Sequence, residues 1–169
     1  MLLYLLLACN SQESVIDTGF CQEKISVTDL ATNLTDEQKE ASYIIEEQFD
    51  EMEIPDNITA AAIINAYAES GLDTEVIGDG GDSVGVFQLN INGLGNKLTN
   101  DMKTNLYTNS NIVGIQVLKN KSLIQADKDN KDIPYLTAIF TKEIMRPKNK
   151  EKKAEDRMAL AQRIFPERI

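Results

Sequence analysis

Apolar positions along most of this chain recur at helical rather than alternating spacing. Thr35-Asp36-Glu37-Gln38 reads as a capping box, in which two side chains satisfy free N–H groups at a helix start. Ala41, Ile44, Ile45, Gln48 and Phe49 follow at i, i+3, i+4 spacing, which predicts a helix to about Met52, stopped by Pro55. Asp56 or Asn57 can cap the next helix. Its run from Ile58 to Glu69 is apolar on nearly every face, the mark of a central, buried helix, and Gly71 supplies a left-handed stop. The pattern then breaks. Residues 76–90, VIGDGGDSVGVFQLN, cluster glycine among β-branched and aromatic residues and predict a short irregular hairpin turning at Gly78–Gly81. Helical spacing returns at roughly 109–125, 134–145 and 151–165, the last with Ala154, Met158, Ala161 and Phe165 on one stripe. The expectation is a mainly α domain over 35–169, interrupted by one small β-hairpin next to the helix that ends near Glu69.

Composition adds exclusions. The 169 residues are 42% hydrophobic, which suits one domain with a real core, and 6% aromatic with no Trp, so that core is aliphatic. A formal net charge of -10 argues against nucleic acid as a partner, because that would call for a basic stripe. It also rules out long-range attraction to an anionic cell wall, so any glycan would have to be held by a local groove. Histidine is absent, which removes Ser-His-Asp and Cys-His triads and the usual zinc sites. Acid–base chemistry must then rest on carboxylates, and neither a metal nor a cofactor is expected. The segment Asp127-Lys128-Asp129-Asn130-Lys131-Asp132 fails the calcium-loop pattern, with Lys131 fifth and Asp132 rather than Gly sixth, and reads as a solvated loop.

The first nine residues, MLLYLLLAC, are apolar but too short to span a bilayer. Leu6-Leu7-Ala8-Cys9 followed by Asn10-Ser11 resembles a bacterial lipoprotein signal with Cys9 as the lipidated residue, although no Lys or Arg precedes the apolar run. This reading makes the protein an exported one, periplasmic or in the outer membrane, anchored through Cys9. Cys9 and Cys21 could instead form one disulfide, and the two readings exclude each other. Residues 10–34 are polar and read as a linker.

The chemistry centres on Glu69. It closes a strongly apolar helix immediately before the Gly-rich segment, which can wall a cleft. Partial burial disfavours the charged carboxylate, and a helix C-terminus presents the negative end of its dipole. Both favour a protonated carboxyl able to donate to a glycosidic oxygen, whose departing alkoxide is otherwise too basic to leave. Asp79 and Asp82 are the candidates for a second carboxylate, which an inverting hydrolase would need roughly 6.5–9.5 Å from the first. Ser83 could hydrogen-bond a sugar or a water, or simply form the turn.

Ala68-Glu69-Ser70-Gly71, followed by Gly78-Asp79-Gly80-Gly81-Asp82-Ser83-Val84-Gly85-Val86-Phe87-Gln88-Leu89, resembles the catalytic region of goose-type lysozymes and soluble lytic transglycosylases. The likeness to phage tail lysozymes is fuller: Asn65 to Ser70, then Phe140, Arg146-Pro147, Arg157 and Ala161 match in order, and Asn111-Ile112 fits the helix after the hairpin. The resemblance spans about 35–165. It implies a lysozyme-like domain that cleaves the bond between N-acetylmuramic acid and N-acetylglucosamine in peptidoglycan strands, with Glu69 as general acid. It also implies that Gln88 and Tyr67 line the substrate groove and that the protein assembles into a virion tail. A lytic transglycosylase needs no second carboxylate, because the sugar's own 6-hydroxyl attacks and a 1,6-anhydro product forms. That reaction and a non-catalytic glycan-binding module are the alternatives. Arg157 and Arg146 could bind acidic parts of the substrate, but salt bridges to acidic neighbours are the plainer reading.

Overall fold

The computed structural model describes residues 26–166, and within them the chain is mainly helical with one small sheet. The Cys9 and Cys21 readings lie outside these residues. The first helices are α1 (Val27–Leu30), α2 (Asp36–Glu51) and α3 (Asp56–Ser70). A sheet follows with strands β1 (Ile77–Gly78), β2 (Ser83–Val84) and β3 (Leu89–Asn90), and then α4 (Asn100–Thr104), α5 (Leu106–Lys119) and α6 (Lys121–Lys128). The remainder is α7 (Ile133–Phe140), continued by a π-helical turn over Thr141–Met145, and α8 (Lys150–Ile164).

The core forms around α3. Every residue from Ile58 to Ala66 is buried, as expected of a helix with no polar face. It packs against α2, α7 and α8, with Phe49, Phe140, Ile164 and Phe165 filling the space between them. Gly71 ends α3 with φ 68°, and its N–H donates to Tyr67 O. The start of α3 differs from expectation. Pro55 is the cap, its carbonyl accepting from Ile58 and Thr59 N–H, while Asp56 and Asn57 lie inside the first turn. The Thr35–Gln38 capping box of α2 is present with both reciprocal bonds.

Three further departures have local causes. The helix expected over 109–125 is two, because Asn120 at φ -89°, ψ 94° leaves the helical region and caps α6, accepting from Leu123 N–H. The single hairpin is a three-stranded antiparallel sheet: β1 and β2 are joined by the turn Asp79–Gly81, and β2 also pairs with β3, Val84 opposite Leu89. The third strand is too short to leave an alternating pattern. Finally, residues 26–34 of the stretch read as a linker lie on the domain. Val27 and Thr28 are fully buried, and the buried Glu46 carboxylate accepts from Val27 N–H at 2.8 Å, Thr28 N–H at 2.9 Å and Ser26 Oγ at 2.7 Å. A carboxylate from α2 thus caps α1, a helix too short to declare itself by periodicity.

Candidate active site

Glu69 sits on the last turn of α3, and its side chain is 23% exposed. The next residue fixes where the sheet lies relative to it. Ser70 Oγ donates to Ala66 O on its own helix and to Val86 O at 2.9 Å, in the turn between β2 and β3. One hydroxyl therefore ties the end of the central helix to the sheet. The turn is held from its other side by Asn109 of α5, which is fully buried. Its Oδ1 accepts from Phe87 N–H, and its Nδ2 donates to Lys103 O. Gly85 makes this approach possible: its φ is 84°, and a Cβ there would overlap Lys103 O and Asn109 Nδ2.

Glu69 meets a cation. Arg157, on α8, donates from Nη2 to Glu69 Oε1 at 2.5 Å and from Nη1 to Asn65 Oδ1 at 2.6 Å. Its side chain is only 3% exposed. Asn65, one turn before Glu69 on α3, also accepts from Thr141 Oγ1 at 2.9 Å and donates from Nδ2 to Ala61 O. Thr141 opens the π-helical turn after α7, so the network joins three elements at one carboxylate. Sequence reasoning weighed burial and the helix dipole for Glu69 but did not place this guanidinium there. In sequence Arg157 belongs to the ordered set that resembles phage tail lysozymes and reads as a salt-bridge partner or a contact to acidic parts of the substrate. In sequence Asn65 is marked by opening the Asn65–Ser70 stretch that carries the family resemblance, whereas Thr141 has no signal beyond being polar where a core helix would carry an apolar residue.

The other expected residues fall into two groups. Asp79, Ser83 and Gln88 come together at the sheet. Ser83 is buried, and its Oγ donates to Asp79 Oδ2 at 2.7 Å and accepts from Asn90 Nδ2 at 3.0 Å. Gln88, at φ 47°, turns its Nε2 to Val76 O and Gly85 O, both at 2.9 Å, so its amide closes the sheet turn. Asp82, beside them, is exposed. Tyr67 lies elsewhere: with Ala68 it lines a groove against α8 that includes Lys153, Arg157 and Arg163. The structure does not bring Tyr67 and Gln88 to one cavity.

A cavity of about 500 Å³ opens between the sheet and the helices beyond it. Gln88, Asn90 and Asn92 line one side; Gln116 and Asn120, with Glu143 of the π turn, line the other. Leu89, Leu94 and Met145 supply apolar surface between these amides. Glu143 is held in place by Asn120 Nδ2 and Ser122 Oγ.

A family model decides the lineage. The model for phage tail lysozymes matches residues 39–167, which covers α3, the sheet, the network around Glu69 and all the helices beyond. The chain belongs to the phage tail lysozyme family. No curated protein and no solved structure matches it significantly. The family match includes all of α3, which carries Glu69 on its last turn, and excludes α1. Among the described residues, no helix of this tail-lysozyme family member is long and apolar enough to cross a membrane.

Proposed function

We propose that this domain is a peptidoglycan glycosidase that cleaves the β-1,4 bond between N-acetylmuramic acid and N-acetylglucosamine, with Glu69 as general acid. One observation carries the reading: in a phage tail lysozyme family member, a partly exposed carboxyl is fixed at the end of the central helix, where Ser70 locks that helix to the sheet. A glycosidic bond breaks only when its leaving oxygen receives a proton, and a rigidly placed carboxylic acid is the group that supplies it.

The amide-rich cavity beside the sheet supports a glycan as ligand. Asn and Gln side chains present a donor and an acceptor together, which matches sugar hydroxyls and N-acetyl groups, while Leu89, Leu94 and Met145 suit the apolar faces of sugar rings. Gln88 contributes to this wall through its position, since its Nε2 is already engaged with backbone carbonyls. A hydrolase must also activate water. Of the two aspartates considered, Asp79 is the one that a hydrogen bond from Ser83 already orients. Membership of the tail lysozyme family favours a virion as the setting, with wall opening during infection as the task.

The experiment is to incubate purified peptidoglycan with the protein and identify the released fragments by mass spectrometry. Muropeptides with reducing ends are the expected result. Ends carrying 1,6-anhydro rings would reassign the enzyme as a lytic transglycosylase acting through the same Glu69. Release of no fragment would reduce the domain to a glycan-binding module.

A further inference from the structure

We infer that Arg157 is the positioning residue that lets Glu69 give up its proton, by holding the carboxylate that proton transfer leaves behind. The inference rests on the glycosidase reading above. It starts from the way the guanidinium is used. Arg–carboxylate pairs are frequently bidentate, with two parallel N–H···O bonds. Arg157 splits its fork instead, Nη2 to Glu69 Oε1 and Nη1 to the neutral amide oxygen of Asn65, and its buried Nε has no partner among the described residues. The fork thus serves two different acceptors rather than one carboxylate.

Of the two Glu69 oxygens it is Oε1 that Arg157 holds, and the side chain is partly exposed. Arg157 is also held from a second side. It is nearly fully buried, and Asn65, its second anchor, is itself pinned by Thr141 Oγ1 and Ala61 O. The result is a cation held on Oε1, and the proposed step gives Oε2 to the substrate.

The balance of the step shows what such a cation does. Glu69, protonated at Oε2, gives that proton to the glycosidic oxygen. The C1–O bond breaks with its electron pair going to the oxygen, and the departing sugar leaves with a hydroxyl. Positive charge develops at C1, and Glu69 becomes a carboxylate. Water or the sugar's own 6-hydroxyl then adds through an oxygen lone pair to C1 and releases its proton, and one proton returns to Glu69 for the next turnover. Once that proton has gone, Glu69 bears a negative charge until another returns. A fixed guanidinium on Oε1 stabilises that state and needs no rearrangement to do so, which is how preorganised charge lowers a barrier.

Arg157→Met and Arg157→Lys test the idea on the full chain. Methionine removes the charge but fills the space, and Asn65 Oδ1 keeps its bond from Thr141, so the network is not left empty. Lysine keeps the charge but cannot span both Asn65 and Glu69 as the fork does. Arg157→Gln, neutral and polar, stands in if methionine disturbs the fold. On soluble glycan strands, with rates taken per folded molecule, the neutral variants should lose about 10²-fold in kcat. Their KM should stay within about threefold of wild type, since ground-state binding is not what the charge serves. Lysine should recover part of the loss. A folded neutral variant with wild-type kcat, a loss confined to KM, or a lysine variant no better than the neutral ones would overturn the role of Arg157 and leave the glycosidase reading intact. A wild-type protein that cleaves no peptidoglycan overturns both.

Discussion

At the scale of single residues, this protein places strict demands on a few backbone positions beside its candidate acid. Gly85 is the sharpest case. It combines a left-handed φ with direct approach to Lys103 O and Asn109 Nδ2, so both conformation and space exclude a side chain. Gly85→Ala should therefore cost roughly 2–5 kcal/mol, the sum of a left-handed penalty and overpacking against backbone. Denaturant unfolding would read the loss, and a cost under about 0.5 kcal/mol, typical of an indifferent surface site, would show that the turn relaxes. Gly80, also at positive φ, has open space around it, and its replacement carries only the conformational part. Sequence puts the turn at Gly78–Gly81 and leaves Gly85 as one more glycine of the segment, since what sets it apart is what approaches from α4 and α5. The same holds for Ser83 and Gln88. Their residue types fitted a substrate-binding role, whereas the structure commits the Ser83 hydroxyl to Asp79 and the Gln88 amide to two carbonyls.

At the scale of elements, helices with long periodic stretches were readable and those defined by tertiary partners were not. α2, α3 and α8 announce themselves through a capping box, an unbroken apolar run with its glycine stop, and a stripe of Ala and Phe. The break at Asn120 and the short α1 do not, because one asparagine side chain and one distant carboxylate create them. α1 offers a clean test of that account. Glu46 receives two backbone N–H groups and a hydroxyl, and hydrogen bonds to a charged group contribute about 1.5–3 kcal/mol. Glu46→Ala should release α1 locally, seen as faster hydrogen exchange at Val27 and Thr28 while the amides of α3 stay protected. Unchanged exchange at those two amides would mean that burial of Val27 alone holds the segment.

At the scale of the whole molecule, charge and architecture divide the work. A net charge of -10 repels an anionic wall, so attraction at a distance is not available, and on the proposed reading the cavity beside the sheet supplies affinity at contact. Salt screens that repulsion: between about 10 mM and about 150 mM the Debye length falls from roughly 30 to 8 Å. The initial rate of peptidoglycan solubilisation should hold or rise over that range. A steep fall would point to a cationic surface that carries binding. The mainly α architecture and the family were both visible in the sequence, through the run ending at Glu69-Ser70 and the Gly-rich segment to Gln88. The guanidinium on Glu69 was not, because eighty-eight residues separate the partners and only the packing of α8 on α3 brings them together. The central claim is that Glu69 supplies the proton for glycan cleavage, and one comparison tests it most directly: muropeptide release by wild type and by Glu69→Gln, each shown to be folded by its thermal transition. Wild type should release fragments, and the variant should release almost none while melting close to the wild-type temperature. A folded Glu69→Gln that releases fragments at the wild-type rate would contradict it.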